Sequence, residues 1–263
     1  MSVSEWATQN RVLSPEASAE QGRWRNSRTP YLVEIMDAFS DPRIHHIVVV
    51  ASSQVGKSEF ENNVIGRTID VDPGSILFIH PQMTDAKEYS KLRIAPMIRD
   101  CPTLRAKVAE KKSRDSGNTI LQKSYPGGIL TMCGSTEAHA LASKPIRYVL
   151  GDERDRWAVS AGTEGDPWEL AMARQTTFYN AKAVEVSTPT IKGHSGQLPS
   201  PTSRARWSAG YPSARTARDS MNCVGKIFGT SMTPSKPTER KTYKVKDVWY
   251  LCPECACISD EVT

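Results

Sequence analysis

From residue 29 onward the chain alternates between two hydrophobic rhythms. In "TPYLVEIMDAF" (29–39), Leu32, Ile35, Met36 and Phe39 fall on one helical face. Thr29 and Pro30 ahead of them suit a cap and a first turn. "RIHHIVVVAS" is instead a short, nearly continuous apolar run, the mark of a strand buried on both faces of a parallel sheet. A small polar turn follows, and "SEFENNVIGRTID" then sets Phe60, Val64, Ile65 and Ile69 at helical spacing.

The alternation repeats as strand "SILFIH" (75–80) and helix "MTDAKEYSKLRIAPMIRD" (83–100). "NTILQKSYPGGILTMCG" predicts two strands turning at Pro126-Gly127-Gly128. "IRYVLGDE" (146–153) is a further buried strand ending in two acids. "DPWELAMARQTTF" is helical, and "AKAVEVSTPT" (181–190) is a strand entering a Ser/Thr/Pro turn. Strands alternating with helices through right-handed crossovers give a doubly wound α/β sheet.

Past Gly196 this grammar stops. Residues 196–222 contain no Val or Ile and a single Leu, while Pro, Ser, Arg and Ala dominate. Such a composition reads as a linker or a disordered segment. Weak strand character returns at "YKVKDVWYLCPEC". The organisation expected is an N-terminal tail over 1–20, an α/β domain over 21–195, and a basic, cysteine-containing segment over 196–263.

Composition changes this picture only at the end of the chain. With 263 residues, 38% hydrophobic and 24% charged, the chain is long enough for one large domain with an appendage. Nothing approaches a membrane span of roughly 20 apolar residues, and the N-terminus lacks the basic and apolar regions of a secretory signal. A cytoplasmic setting is therefore expected, where the six cysteines serve as thiols or metal ligands in preference to disulfides. The formal charge of +5 is concentrated: residues 197–247 carry 10 Lys+Arg against 3 Asp+Glu. A block of that kind attracts phosphate backbones, or is simply a solvated arm.

The candidate chemistry starts at "ASSQVGKSEF". A strand, a small-residue turn and Gly56-Lys57-Ser58 opening a helix is the order that phosphate binding requires, because backbone N–H groups and the helix N-terminus then point at the anion. Ser53, Gln54, Val55, Gly56 and Glu59 complete the loop. Lys57 would reach the outer phosphates of ATP and the Ser58 hydroxyl would ligate Mg2+. Ala51 stands where the usual pattern has Gly, a departure at one position. Asp152 and Glu153 arrive at the C-terminal end of a strand, where α/β sheets bind ligands. Asp152 would hold Mg2+ and Glu153 would orient and deprotonate the attacking water. Alone, an Asp-Glu pair after a strand is most often a surface turn; with Lys57 it favours an ATPase. Ser187, Thr188 and Pro189 either sense the outermost phosphate or form an ordinary turn. The fold expected is thus a P-loop NTPase of the RecA/ASCE-like kind, a mostly parallel sheet flanked by helices, with an irregular C-terminal extension.

In order along the chain, "TPYLVEIMDAFSDPRI", "SSQVGKSE", "HPQMTDAKEYSKLRIAPMI", "YVLGDERDRW", "EGDPWELAMARQTTF" and "VEVSTPTIKGHS" resemble the ATPase half of the large terminase subunit of tailed phages, lambda-type (GpA) family. The resemblance covers roughly residues 20 to 195. It implies an ATP-driven motor that moves viral double-stranded DNA into a procapsid, working with a small terminase subunit and the portal protein, as a homo-oligomer and in the host cytoplasm. Lys57 and Ser58 match the family's Walker A positions, Asp152 and Glu153 its Walker B aspartate and catalytic glutamate, and Ser187-Thr188-Pro189 its coupling motif. The segment around Tyr31 resembles the one near the adenine. Arg154, Arg156 and Arg174 are candidates for the arginine that stabilises the transferring phosphate.

The departures are equally specific. Full-length members of the family continue into a nuclease domain, for which this chain has no room. They also carry CPxC pairs suggesting zinc, of which only Cys252 and Cys255 remain here. Cys257 and Cys223 could complete four ligands, but the spacing is not a recognised ribbon, so unliganded thiols are expected over Zn2+. A truncated or frame-disrupted gene product is one account of these gaps. Two alternatives to the packaging motor stay open: another P-loop ATPase of helicase type, and an inactive remnant that binds nucleic acid by charge.

Overall fold

The computed structural model describes residues 1–16, 18, 20–51, 53–108 and 118–188, and three later strands. Helix α1 (Val3–Asn10) leads into a ribbon of β1 (Val12–Leu13) and β2 (Gly22–Arg23), then α2 (Pro30–Ser40). Next come β3 (His46–Ala51), α3 (Lys57–Val71) and β4 (Ile76–His80). A long helical stretch follows as α4 (Met83–Tyr89), a π-helical turn (Ser90–Ile94), α5 (Ala95–Asp100) and α6 (Pro102–Lys107). The hairpin β5 (Gln122–Tyr125) and β6 (Gly128–Gly134) precedes α7 (Ala138–Ala142), β7 (Tyr148–Gly151), α8 (Pro167–Met172) and β8 (Lys182–Ser187). The later strands are β9 (Gly225–Met232), β10 (Tyr243–Leu251) and β11 (Ile258–Ser259).

The sheet order is β11-β10-β9-β3-β8-β7-β4-β6-β5. Its five central strands, β3, β8, β7, β4 and β6, are parallel. Antiparallel β5 closes one edge, and β9 continues the other by pairing His46–Ala51 of β3 with Gly225–Thr230. The strand character expected near Tyr243 is that of β10.

Strand side chains alternate between the two faces of the sheet, as a period of two requires. Ile76 and Phe78 of β4, with Tyr148 and Leu150 of β7, enter the core beneath α2, α3 and α5. Leu77, Ile79 and Val149 enter the opposite core, with Trp157, Leu141 of α7 and Trp168 of α8. No helix among the described residues is long and apolar enough to cross a membrane.

The N-terminal segment, expected as a tail, packs onto this frame. Val3, Trp6 and Ala7 of α1 are completely buried. The helix starts in a capping box, with Glu5 N–H donating to Ser2 Oγ (3.3 Å) and Ser2 N–H to Glu5 Oε2 (2.8 Å). The Trp6 indole lies on α3 against Gly66, where a Cβ would come 2.2 Å from the ring, and its Nε1 donates to Asp70 Oδ2 at 2.7 Å. Only a glycine at 66 lets the two helices approach this closely.

Candidate active site

Strand β3 delivers the chain into a loop that must reverse direction within five residues. Gln54 (φ 63°) and Gly56 (φ 83°) both take the left-handed conformation, which turns successive N–H groups toward one side. Gly56 N-caps α3, and a side chain there would meet both that φ and Leu32 Cδ1 at 3.1 Å. Ser53 and Gln54 are exposed and Val55 is buried in the core.

Lys57 is 7% exposed, and its Nζ donates to the carbonyl of Ala51 (3.1 Å) and to Thr188 Oγ1 (2.6 Å). Thr188 Oγ1 in turn donates to Glu153 Oε1 at 3.2 Å. Burial lowers the ammonium pKa from its ordinary value; the carboxylates of Glu153, Asp152 and Glu61 pull it back up. One buried ammonium thus stands among three carboxylates, with the Arg156 guanidinium also acting on it.

Asp152 and Glu153 leave the C-terminal end of β7. Asp152 N–H donates to Ile79 O of β4 (2.9 Å), and its carbonyl accepts from Trp157 Nε1 (2.7 Å). His80, the last residue of β4, brings Nδ1 to 3.6 Å from Asp152 Oδ2. Glu153 has φ 47°, a left-handed backbone unusual for a residue with a side chain and a form of strain concentrated at functional sites. Asp155 N–H donates to Ser187 Oγ at 3.0 Å, tying the acid loop to β8.

The three arginine candidates separate. Arg154 is 2% exposed: Nη2 lies 3.0 Å from both Asp166 oxygens, Nε lies 3.3 Å from Glu185 Oε2, and the guanidinium stacks on Trp157. Glu185 also holds His46 Nε2 at 2.7 Å. Arg154 therefore anchors the loop from inside. The carbonyl of Arg174 accepts from Ile146 N–H, just ahead of β7 and at the far end of the sheet from Glu153. Arg156 is 61% exposed and stands beside Glu153, Nε to Oε2 at 3.8 Å.

Tyr31, in the first turn of α2, lines a cavity of about 610 Å3 with Gln54, Gly56 and Glu59 on one side and Leu13, Trp24 and Arg28 on the other. Ser58 is half-buried, and its carbonyl lies 3.1 Å from the Tyr89 hydroxyl. The Glu59 carboxylate is taken up by Arg11 (2.7 Å, 2% exposed) and Arg93 (3.3 Å).

Sequence reasoning missed Arg11, Tyr89, His80 and Glu61. Two of these left a trace. Ser2-x-x-Glu5 with Val3, Trp6 and Ala7 signals a helix ahead of Arg11. Glu61 is an acid four residues after Lys57, within an otherwise core-facing helix. The suggested zinc ligands Cys223, Cys252, Cys255 and Cys257 lie outside the described residues, as do Pro189 and the arginine-rich stretch 197–222. Among the described residues no group of three His, Cys, Asp or Glu is placed to hold a metal ion.

The loop after β3, the acids after β7 and strand β8 inserted between those two strands form one end of a mostly parallel α/β sheet flanked by helices. Residues 18–263 match the family model of the phage terminase large subunit gpA, ATPase domain, and the chain belongs to that family. The terminase large subunit of Escherichia phage lambda is 28% identical over 262 residues, 97% of this chain and 39% of that protein. That of Enterobacteria phage P21 is 25% identical over 265 residues, again 39% of its length. The chain thus spans about two fifths of these relatives. The solved HK97 bacteriophage large terminase shares the fold, with a TM-score of 0.54 at 13% identity over 71% of this chain and 38% of that one.

Proposed function

We propose that the chain is the ATP-hydrolysing motor part of a phage DNA-packaging terminase, acting on double-stranded viral DNA in the host cytoplasm. The observation that carries this is the convergence of Lys57, Thr188 and Glu153 at the C-terminal rim of the sheet. The phosphates of ATP lie on the loop of Ser53 to Ser58, with the Lys57 ammonium between the outer two. The base and ribose enter the cavity beside Tyr31, whose half-buried ring offers the base a face to stack on.

The residues present fit a magnesium ion. Mg2+ keeps several waters and needs only one or two protein oxygens besides the substrate's phosphates, so the absence of a three-ligand cluster among the described residues is no obstacle. The Ser58 hydroxyl and the Asp152 carboxylate would hold Mg2+. The ion would neutralise charge on the phosphates. Glu153 takes the proton of the attacking water as the new oxygen–phosphorus bond forms and the bond to the bridging oxygen breaks. Loss of the outer phosphate frees Lys57 to return to Thr188, so strand β8 and Ser187, bonded to the acid loop, register the event. Arg156, exposed beside Glu153, offers its guanidinium to the transferring phosphate.

We further propose a homo-oligomer as the working form, with a small terminase subunit and a portal protein as partners. The motor is the unit of 21–195 together with the N-terminal segment packed on it. The test is ATP turnover by the purified chain with and without double-stranded DNA, beside Lys57→Ala. DNA-stimulated turnover abolished by the substitution supports the motor; no turnover by the parent chain in either condition overturns it.

A further inference from the structure

Glu61 takes no part in the mechanism above, yet it is the most costly residue of the site. It is completely buried, and neither carboxylate oxygen has a hydrogen-bond partner among the described residues. A buried carboxyl left without partners opposes folding. Its neighbours on α3 do not relieve it: Asn62 is engaged with Tyr89 and Glu59. On the β4 side, His80 is 1% exposed and its Nε2 is likewise without a partner among the described residues.

The position of the orphaned carboxyl is defined by the helix. Glu61 is four residues beyond Lys57, so the two side chains share one face of α3, and Lys57 reaches Ala51 at the end of β3 and Thr188 just past β8. The charges acting on Glu61 agree: after burial, the carboxylates of Asp152 and Glu153 push its pKa well up, and Lys57 draws it down. Two carboxyl oxygens without partners among the described residues therefore sit one turn beyond Lys57, on the helix that supplies the proposed ligand Ser58.

We propose that Glu61 is a positioning residue for the divalent cation: its carboxyl accepts hydrogen bonds from water molecules that the cation carries, outside the cation's direct ligands. This inference rests on the reading that a nucleotide and a divalent cation bind at the phosphate loop. It accounts for an acid with no partner among the described residues. Partners one shell out from a metal typically alter its affinity 10–100-fold when removed.

The test is Mn2+ binding to the full chain saturated with ADP, followed by electron paramagnetic resonance, with ADP affinity measured separately in EDTA. Glu61→Gln is expected to weaken Mn2+ about tenfold and to leave cation-free ADP affinity unchanged. Glu61→Met is expected to weaken Mn2+ at least as much while raising the Tm, because a buried polar group without partners is gone. A structural residue would move those two readouts differently. Parent-like Mn2+ affinity in Glu61→Gln, where Asp152→Asn has lost it, overturns the inference alone. So does failure of both Glu61 variants to fold. A parent chain whose ADP complex takes up no Mn2+ overturns the nucleotide reading, and the inference with it.

Discussion

Lys57 Nζ donates to Thr188 Oγ1 over 2.6 Å, joining side chains 131 residues apart. The pair exists because β8 is inserted between β3, which leads into the Lys57 loop, and β7, which leads into Asp152 and Glu153. The threonine at the end of β8 then lies between cation and carboxylate and relays one to the other. Thr188→Val keeps the shape and removes both bonds. ATP affinity is expected to stay within about threefold, while turnover falls on the order of 10²-fold, the scale of a misplaced catalytic group. Equilibrium nucleotide binding beside steady-state hydrolysis measures the split.

Arg154 and Arg156 differ by two positions and should behave in opposite ways. Truncating Arg154 leaves the buried Glu185 with His46 as its remaining ion-pair partner among the described residues, so Arg154→Ala is expected to lose about 3–5 kcal/mol of stability. Arg156→Ala removes an exposed side chain; its stability should stay within about 0.5 kcal/mol of the parent while turnover falls. Urea denaturation beside ATP hydrolysis separates anchor from charge stabiliser.

The N-terminal helix is part of the core. Trp6→Ala is expected to destabilise by about 3–5 kcal/mol, since it empties the space over Gly66 and leaves Asp70 without the indole N–H. Gly66→Ala should be destabilising too, because its methyl occupies the ring's position. Thermal unfolding of the two variants checks this.

Lys182 gives stability a pH dependence on the alkaline side. Its Nζ donates to the carbonyls of Asp41 and Ile44, and burial brings its pKa down from 10.5 to about 8. Between pH 8 and 10.5 the unfolded chain holds the proton that the folded chain has released. Stability from this group therefore rises with pH through that window and is least below it. The parent chain should gain in Tm relative to Lys182→Met as pH goes from 7.5 to 10; an unchanged difference contradicts the assignment.

The parallel part of the sheet was legible because each strand is a short apolar run bounded by a turn, as in "IRYVLGDE", and each helix repeats its apolar face. The placement of Lys57 at the start of α3 and of Asp152 and Glu153 just past β7 was legible for a local reason, since each adjoins the end of a strand or the start of a helix. The strand order was not, because nothing in "AKAVEVSTPT" says that it slides between two strands formed earlier. Residues 1–10 were misjudged for want of length: three apolar residues on eight positions become a core helix only against Gly66. The division of labour between Arg154 and Arg156 depends on Glu185 and Asp166, whose proximity is tertiary.

The most direct measurement is single-turnover hydrolysis of Mg·ATP by Glu153→Gln beside its ATP affinity. The carboxylate at Glu153 is assigned to the water and not to the phosphates. The variant should therefore bind ATP as the parent does and hydrolyse it at least about 10²-fold more slowly. Parent-like hydrolysis by Glu153→Gln would contradict the account.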